Sequence, residues 1–169
     1  IEGGYAASNP KEMQFFQEVA ALGLSHSKVA AFGSTRRADC TVDDDVSLGS
    51  ILATKAPAAT IVGKTWDMHV GLVLHCSLDE NLAICAESIR YLKGKGLEAI
   101  FDAEHFFDGY KANPEYAMKV LASAAEAGAD ALVLCHEPTR PHMRGLPDYG
   151  LPDLKTCMAA NLAAAQLTN

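Results

Sequence analysis

Basic residues are scarce in this chain: 14 Lys and Arg stand against 21 Asp and Glu, a formal net charge of −7. That balance leaves no basic patch for a nucleic-acid backbone or an anionic membrane surface. Long apolar runs are missing too. The longest falls far short of the roughly 20 residues that cross a bilayer, so no transmembrane helix is expected. No charged n-region, apolar h-region and small-residue cleavage site opens the chain, so nothing indicates secretion. Cysteines are five and unpatterned (Cys40, Cys76, Cys85, Cys135 and Cys157), without CxxC spacing. Buried thiols in a reducing cytoplasm are the expected state. A GxGxxG phosphate loop is absent. Cys135, His136, His142 and Cys157 fit no zinc-ligand spacing.

What remains is ample material for one α/β domain: 169 residues, 49% hydrophobic. Ile1-Glu-Gly-Gly4 has the look of a strand end. Asn9-Pro10 then opens a helix with an apolar stripe at Met13, Phe16, Val19 and Leu22, and Gly23 closes it. Apolar runs at 28–33, 59–63, 97–103 and 130–135 alternate with helical patterns at 46–56, 78–93 and 114–127. The runs are continuous rather than alternating, which predicts a parallel sheet covered by helices. After Cys135 the character changes. Residues 138–152 hold four of the seven prolines, and an irregular tail over 136–169 is expected, with a final helix capped by Asp153.

In a parallel α/β sheet the carboxyl ends of the strands share one face, where chemistry gathers. Glu2, the turn Ser34 to Arg37, His69, and Glu104 with His105 all follow strand-like runs. Glu104 can act as acid or base, or orient a carbonyl, in water-poor surroundings. Arg36 and Arg37 can grip a small carboxylate with a planar fork. His69 divides between a site role and a satisfied core histidine. Thr65 and His105 also read as ordinary turn residues. The stretch Phe101 to Pro114 is expected to run from a strand through a polar, aromatic turn into a helix.

Four blocks converge on one family: Glu2-Gly-Gly4, Phe32-Gly-Ser-Thr-Arg-Arg37, Gly63-Lys-Thr-Trp-Asp-Met-His-Val70 and Asp102-Ala-Glu-His-Phe-Phe-Asp-Gly-Tyr-Lys-Ala-Asn-Pro114. The chain resembles citramalate synthase, a relative of 2-isopropylmalate synthase and homocitrate synthase, almost continuously from Ile1 to Cys135. The resemblance implies a TIM (β/α)8 barrel that condenses acetyl-CoA with pyruvate to give (R)-citramalate for isoleucine synthesis. A divalent metal (Mg, Mn or Zn) polarises the ketone while a base takes a proton from the acetyl methyl group. Glu104 matches the active-site glutamate and His69 a catalytic-face histidine. Glu2, Arg36, Thr65 and His105 match by position, as substrate-binding candidates.

The departures bound that reading. The family's Arg-Asp pair on its first strand would lie before Ile1, and its His-x-His metal motif after Cys135. No His-x-His occurs here, so no metal ligand is assigned. Where the family continues Asp-Thr-Asn-Gly-Gly, this chain has His136-Glu-Pro-Thr-Arg140. A shifted reading frame or a truncated gene is the expected cause. The expected architecture is an incomplete barrel of about five strand–helix units over 1–135. It should be inactive alone, with open edges that could pair two copies as a homodimer. The alternatives are a fragment of 2-isopropylmalate or homocitrate synthase, or a non-catalytic α/β module binding a small anion or a partner.

Overall fold

The computed structural model describes residues 1–135 and Leu167; the expected irregular and helical tail over 136–166 lies outside the described residues. Five strands form one sheet: β1 (Glu2–Tyr5), β2 (Ala30–Ser34), β3 (Ala58–Lys64), β4 (Glu98–Glu104) and β5 (Ala131–Leu134). Their spatial order is their chain order, and every pairing is parallel. Consecutive parallel strands need crossovers, which are right-handed. Each connection therefore drops its helix on the same side of the sheet. These helices are α1 (Pro10–Ala21), α2 (Val46–Thr54), α3 (Asp67–His69), α4 (Leu78–Gly94), α5 (Phe106–Ala112) and α6 (Pro114–Glu126).

Local chemistry sets the boundaries. Asn9 caps α1 by accepting from the Lys11 and Glu12 amides, Asp45 caps α2 through Leu48, and Asn113 caps α6 through Tyr116. Pro10 and Pro114 occupy first-turn positions where no amide is needed.

The strand pattern has two faces. Ala31, Ala59, Ile61, Ala99, Phe101 and Ala103 join the core cluster with Phe16, Leu48, Ile51, Cys85, Ile89, Leu92 and Leu121 from the helices. Full burial of a side chain such as Phe101 contributes about 1.5–3 kcal/mol. Gly33 and Gly63 share that face because a Cβ there would collide with Ile51 or with the Phe101 ring. The alternate positions, Phe32, Ser34, Val62, Lys64, Ile100, Asp102 and Glu104, form the other face and are only partly buried.

Two segments differ from expectation. The polar, aromatic turn after Glu104 is itself helical, because Phe106, Phe107 and Tyr110 stack on one side of a seven-residue helix, α5. The exit after His69 closes as a π-helical turn, Val70–Leu74, ended by His75 in the left-handed region.

Candidate active site

The carboxyl ends of β3 and β4 meet in register at Lys64 and Glu104. The two side chains form an ion pair on the sheet face opposite the described helices and are 22% and 18% exposed. Both strand ends are held from behind. The buried Asn81 of α4 donates to the Lys64 carbonyl at 2.8 Å and to the Tyr116 hydroxyl at 2.8 Å. The fully buried Thr65 donates its hydroxyl to the Glu104 carbonyl at 2.6 Å. Burial pushes the Tyr116 hydroxyl up to about 12 against the lowering effect of Asn81. It therefore stays protonated and donates to the Leu78 carbonyl at 3.4 Å.

His105 follows Glu104 with φ of 51°, a left-handed conformation that costs energy in a residue with a Cβ. Its Nδ1 lies 3.2 Å from Oδ2 of the buried Asp108. The His105 ring stands edge-on to His69 with centroids 4.7 Å apart, and Trp66, 2% exposed, lies 4.7 Å from His69. Burial lowers the His69 pKa, and the nearby His105 and Lys64 lower it further. Among the described residues its Nδ1 is buried without a hydrogen-bond partner, as is Oδ1 of Asp102, two residues before Glu104 on the same strand face. Near neutrality His69 is an uncharged imidazole beside an ion pair, a group able to take or relay a proton.

The structure therefore brings together Glu104, Thr65, His69 and His105. Arg36 is placed otherwise. At 8% exposure its Nε donates to Glu87 at 2.8 Å, Nη2 to Glu80 at 3.0 Å, and Nη1 to the carbonyls of Arg37 and Cys40. Its fork is filled by the protein, tying the β2 exit to α4. Glu2 is exposed and pairs with Ala30, in a row that runs through Ala58 to Glu98, at the opposite end of β3 from Lys64.

Sequence reading passed over Lys64, Asp102 and Asp108. The signal available for Lys64 and Asp102 was parity, since Val62 and Lys64 share a strand face, as do Asp102 and Glu104.

The family's divalent metal finds no donor set here. Among the described residues no group of three or more His, Cys, Asp or Glu is placed to hold an ion, and the Glu104 carboxylate is engaged by Lys64.

Consecutive parallel strands with their polar groups gathered at the carboxyl ends define a strand–helix repeat scaffold of the kind that carries its chemistry at one end. Comparison with known proteins narrows this. An (R)-citramalate synthase of Geobacter sulfurreducens is 52% identical over 135 residues, covering 80% of this chain and 26% of that enzyme. An (R)-citramalate synthase of Sulfolobus acidocaldarius is 48% identical over 144 residues, covering 84% of this chain and 28% of that enzyme. Over these residues the chain is a citramalate synthase-like segment. It spans about a quarter of the length of the curated relatives it matches.

Residues 111–169 give a second result. They match the family model described as "Domain of unknown function (DUF1611_C) P-loop domain". A D-glutamate N-acetyltransferase of Tritonibacter scottomollicae is 60% identical over 40 residues, 24% of this chain and 12% of that protein. The chain after Cys135 therefore lies in a stretch with a family resemblance of its own. Two resemblances meet in one chain, and 111–169 carries the second.

Proposed function

We propose that residues 1–135 carry the second to sixth strand–helix units of a TIM-barrel acyltransferase that condenses acetyl-CoA with pyruvate to give (R)-citramalate, a reaction of isoleucine synthesis. The observation that carries this reading is Glu104. It sits at the carboxyl end of a parallel strand, paired with Lys64 and braced by Thr65, within the stretch Asp102 to Pro114 that resembles citramalate synthase.

In this reading Glu104 accepts a proton from the acetyl methyl group or orients the ketone, and the neutral His69 relays the proton beside it. Thr65 fixes the Glu104 backbone, and Asp108 orients His105 against the same wall. Arg36 braces the β2 exit through Glu80 and Glu87. No His-x-His motif occurs in the sequence, so the chain by itself is not expected to turn over. Residues 136–169 diverge in sequence from the citramalate synthase pattern. Open strands β1 and β5, each with one neighbour among the described residues, support pairing of two copies. The reduced thiols of Cys40, Cys76 and Cys85 suit a cytoplasmic setting.

The test is a hybrid in which residues 1–135 replace the matching segment of the Geobacter sulfurreducens enzyme. CoA release should depend on pyruvate. Preference for 2-oxoisovalerate would instead assign the segment to 2-isopropylmalate synthase.

A further inference from the structure

A 2-oxo acid substrate brings a carboxylate that needs a cation, and the candidates at the strand exits can be sorted by what each side chain already holds. Arg36 is buried and saturated by Glu80, Glu87 and two carbonyls. Arg37 is 64% exposed and faces Asp39 at 3.6 Å and Asp45 at 3.9 Å, away from β3 and β4. Lys28 pairs with Glu98 and Lys93 with Asp130, both at the amino ends of strands. Lys64 differs in place and in support. It ends β3 on the sheet face opposite the described helices, in register with Glu104, and a buried asparagine grips its carbonyl.

Resting on the acyltransferase reading above, we propose that Lys64 binds the carboxylate of the 2-oxo acid. An ammonium has three N–H donors, and the described structure uses one of them on Glu104. A second can hold the substrate carboxylate, and Lys64 then bridges two carboxylates. The reacting carbonyl carbon is bonded directly to that carboxylate, so anchoring it on Lys64 sets the carbonyl beside Glu104. The same bridge makes recognition selective for an acid over a neutral ketone. It also predicts competition: Glu104 and the substrate share one cation, so removing the Glu104 charge strengthens the substrate's hold.

The experiment is a 1H–15N NMR titration of the full 169-residue chain with pyruvate, and with hydroxyacetone as the uncharged comparison. Pyruvate should shift the amides around the β3 and β4 exits. Lys64→Met should weaken pyruvate binding by about tenfold, the scale of one charge-assisted hydrogen bond. Lys64→Arg should largely restore it, and Glu104→Gln should tighten it. Hydroxyacetone binding should be indifferent to all three changes. The spectra also report folding. Should Lys64→Met unfold, Lys64→Arg and Glu104→Gln decide, and equal pyruvate affinity in wild type and Glu104→Gln overturns the proposal. Pyruvate binding unchanged in a folded Lys64→Met variant overturns the Lys64 assignment and leaves the acyltransferase reading standing. Wild-type chain that binds no pyruvate overturns the Lys64 proposal, and the hybrid enzyme then decides the acyltransferase reading by itself.

Discussion

Asn81 and Tyr116 carry much of the precision behind the ion pair, through contacts 17 and 35 residues apart in sequence. Asn81→Ala removes two hydrogen bonds from a buried site and should cost about 2 kcal/mol. Tyr116→Phe should cost about 1 kcal/mol. Urea unfolding followed by circular dichroism measures both. His69 supplies a pH signature. Its folded pKa lies below the ordinary imidazole value of 6.5 because burial opposes the charge, with His105 and Lys64 adding to it. Above pH 6.5 both states hold it neutral, and its contribution is complete. As pH falls through 6.5 toward the lower folded value, the unfolded state binds the proton first and stability drops. The difference in urea midpoint between wild type and His69→Gln should therefore shrink on acidification across this window. A constant difference would sink the assignment. Glu104 and His69 were legible because they follow apolar runs. Lys64 was not, since a lysine at a strand end usually points to water. The filled fork of Arg36 was equally hidden, because its partners lie 44 and 51 residues away.

The five strands and the longer helices were written in local chemistry, in apolar runs closed by caps, prolines and glycines. α5 was not, because His105 breaks the pattern with a left-handed backbone and the helix is only seven residues long. Its register is fixed by tertiary contact. A Cβ on Gly109 would lie 2.8 Å from the Thr65 carbonyl oxygen and 3.0 Å from Cα of Trp66, backbone atoms that cannot step aside. Gly109→Ala should destabilise the fold by about 2 kcal/mol and disturb the Thr65 and Trp66 amide signals. Asn113 joins the two helices to the β3 exit, capping α6 and donating to Asp67 at 2.8 Å. Asn113→Ala should lose about 1 kcal/mol of cap energy, read as a lower thermal midpoint.

Across the whole molecule, stability should be graded from the middle of the sheet outward. β3 is paired on both sides and its helix-facing positions are buried, whereas β5 alternates exposed and partly buried residues. Amide hydrogen exchange should be slowest in β3 and β4, and faster in β5 by about tenfold or more. Uniform protection would contradict this layout. The sequence revealed a parallel α/β sheet and the loss of resemblance near Cys135. The irregular, proline-rich stretch after Cys135 carried no periodic signal of a family of its own; the match over 111–169 supplies one.

The account stands on Glu104 as a catalytic group on a citramalate synthase-like scaffold. The most direct measurement is the rate of pyruvate-dependent CoA release by the hybrid enzyme bearing residues 1–135, compared with its Glu104→Gln variant. Loss of about a hundredfold or more in kcat, with the fold intact, is the expected result for a general acid–base group. A folded Glu104→Gln hybrid that works at the parent rate would contradict it.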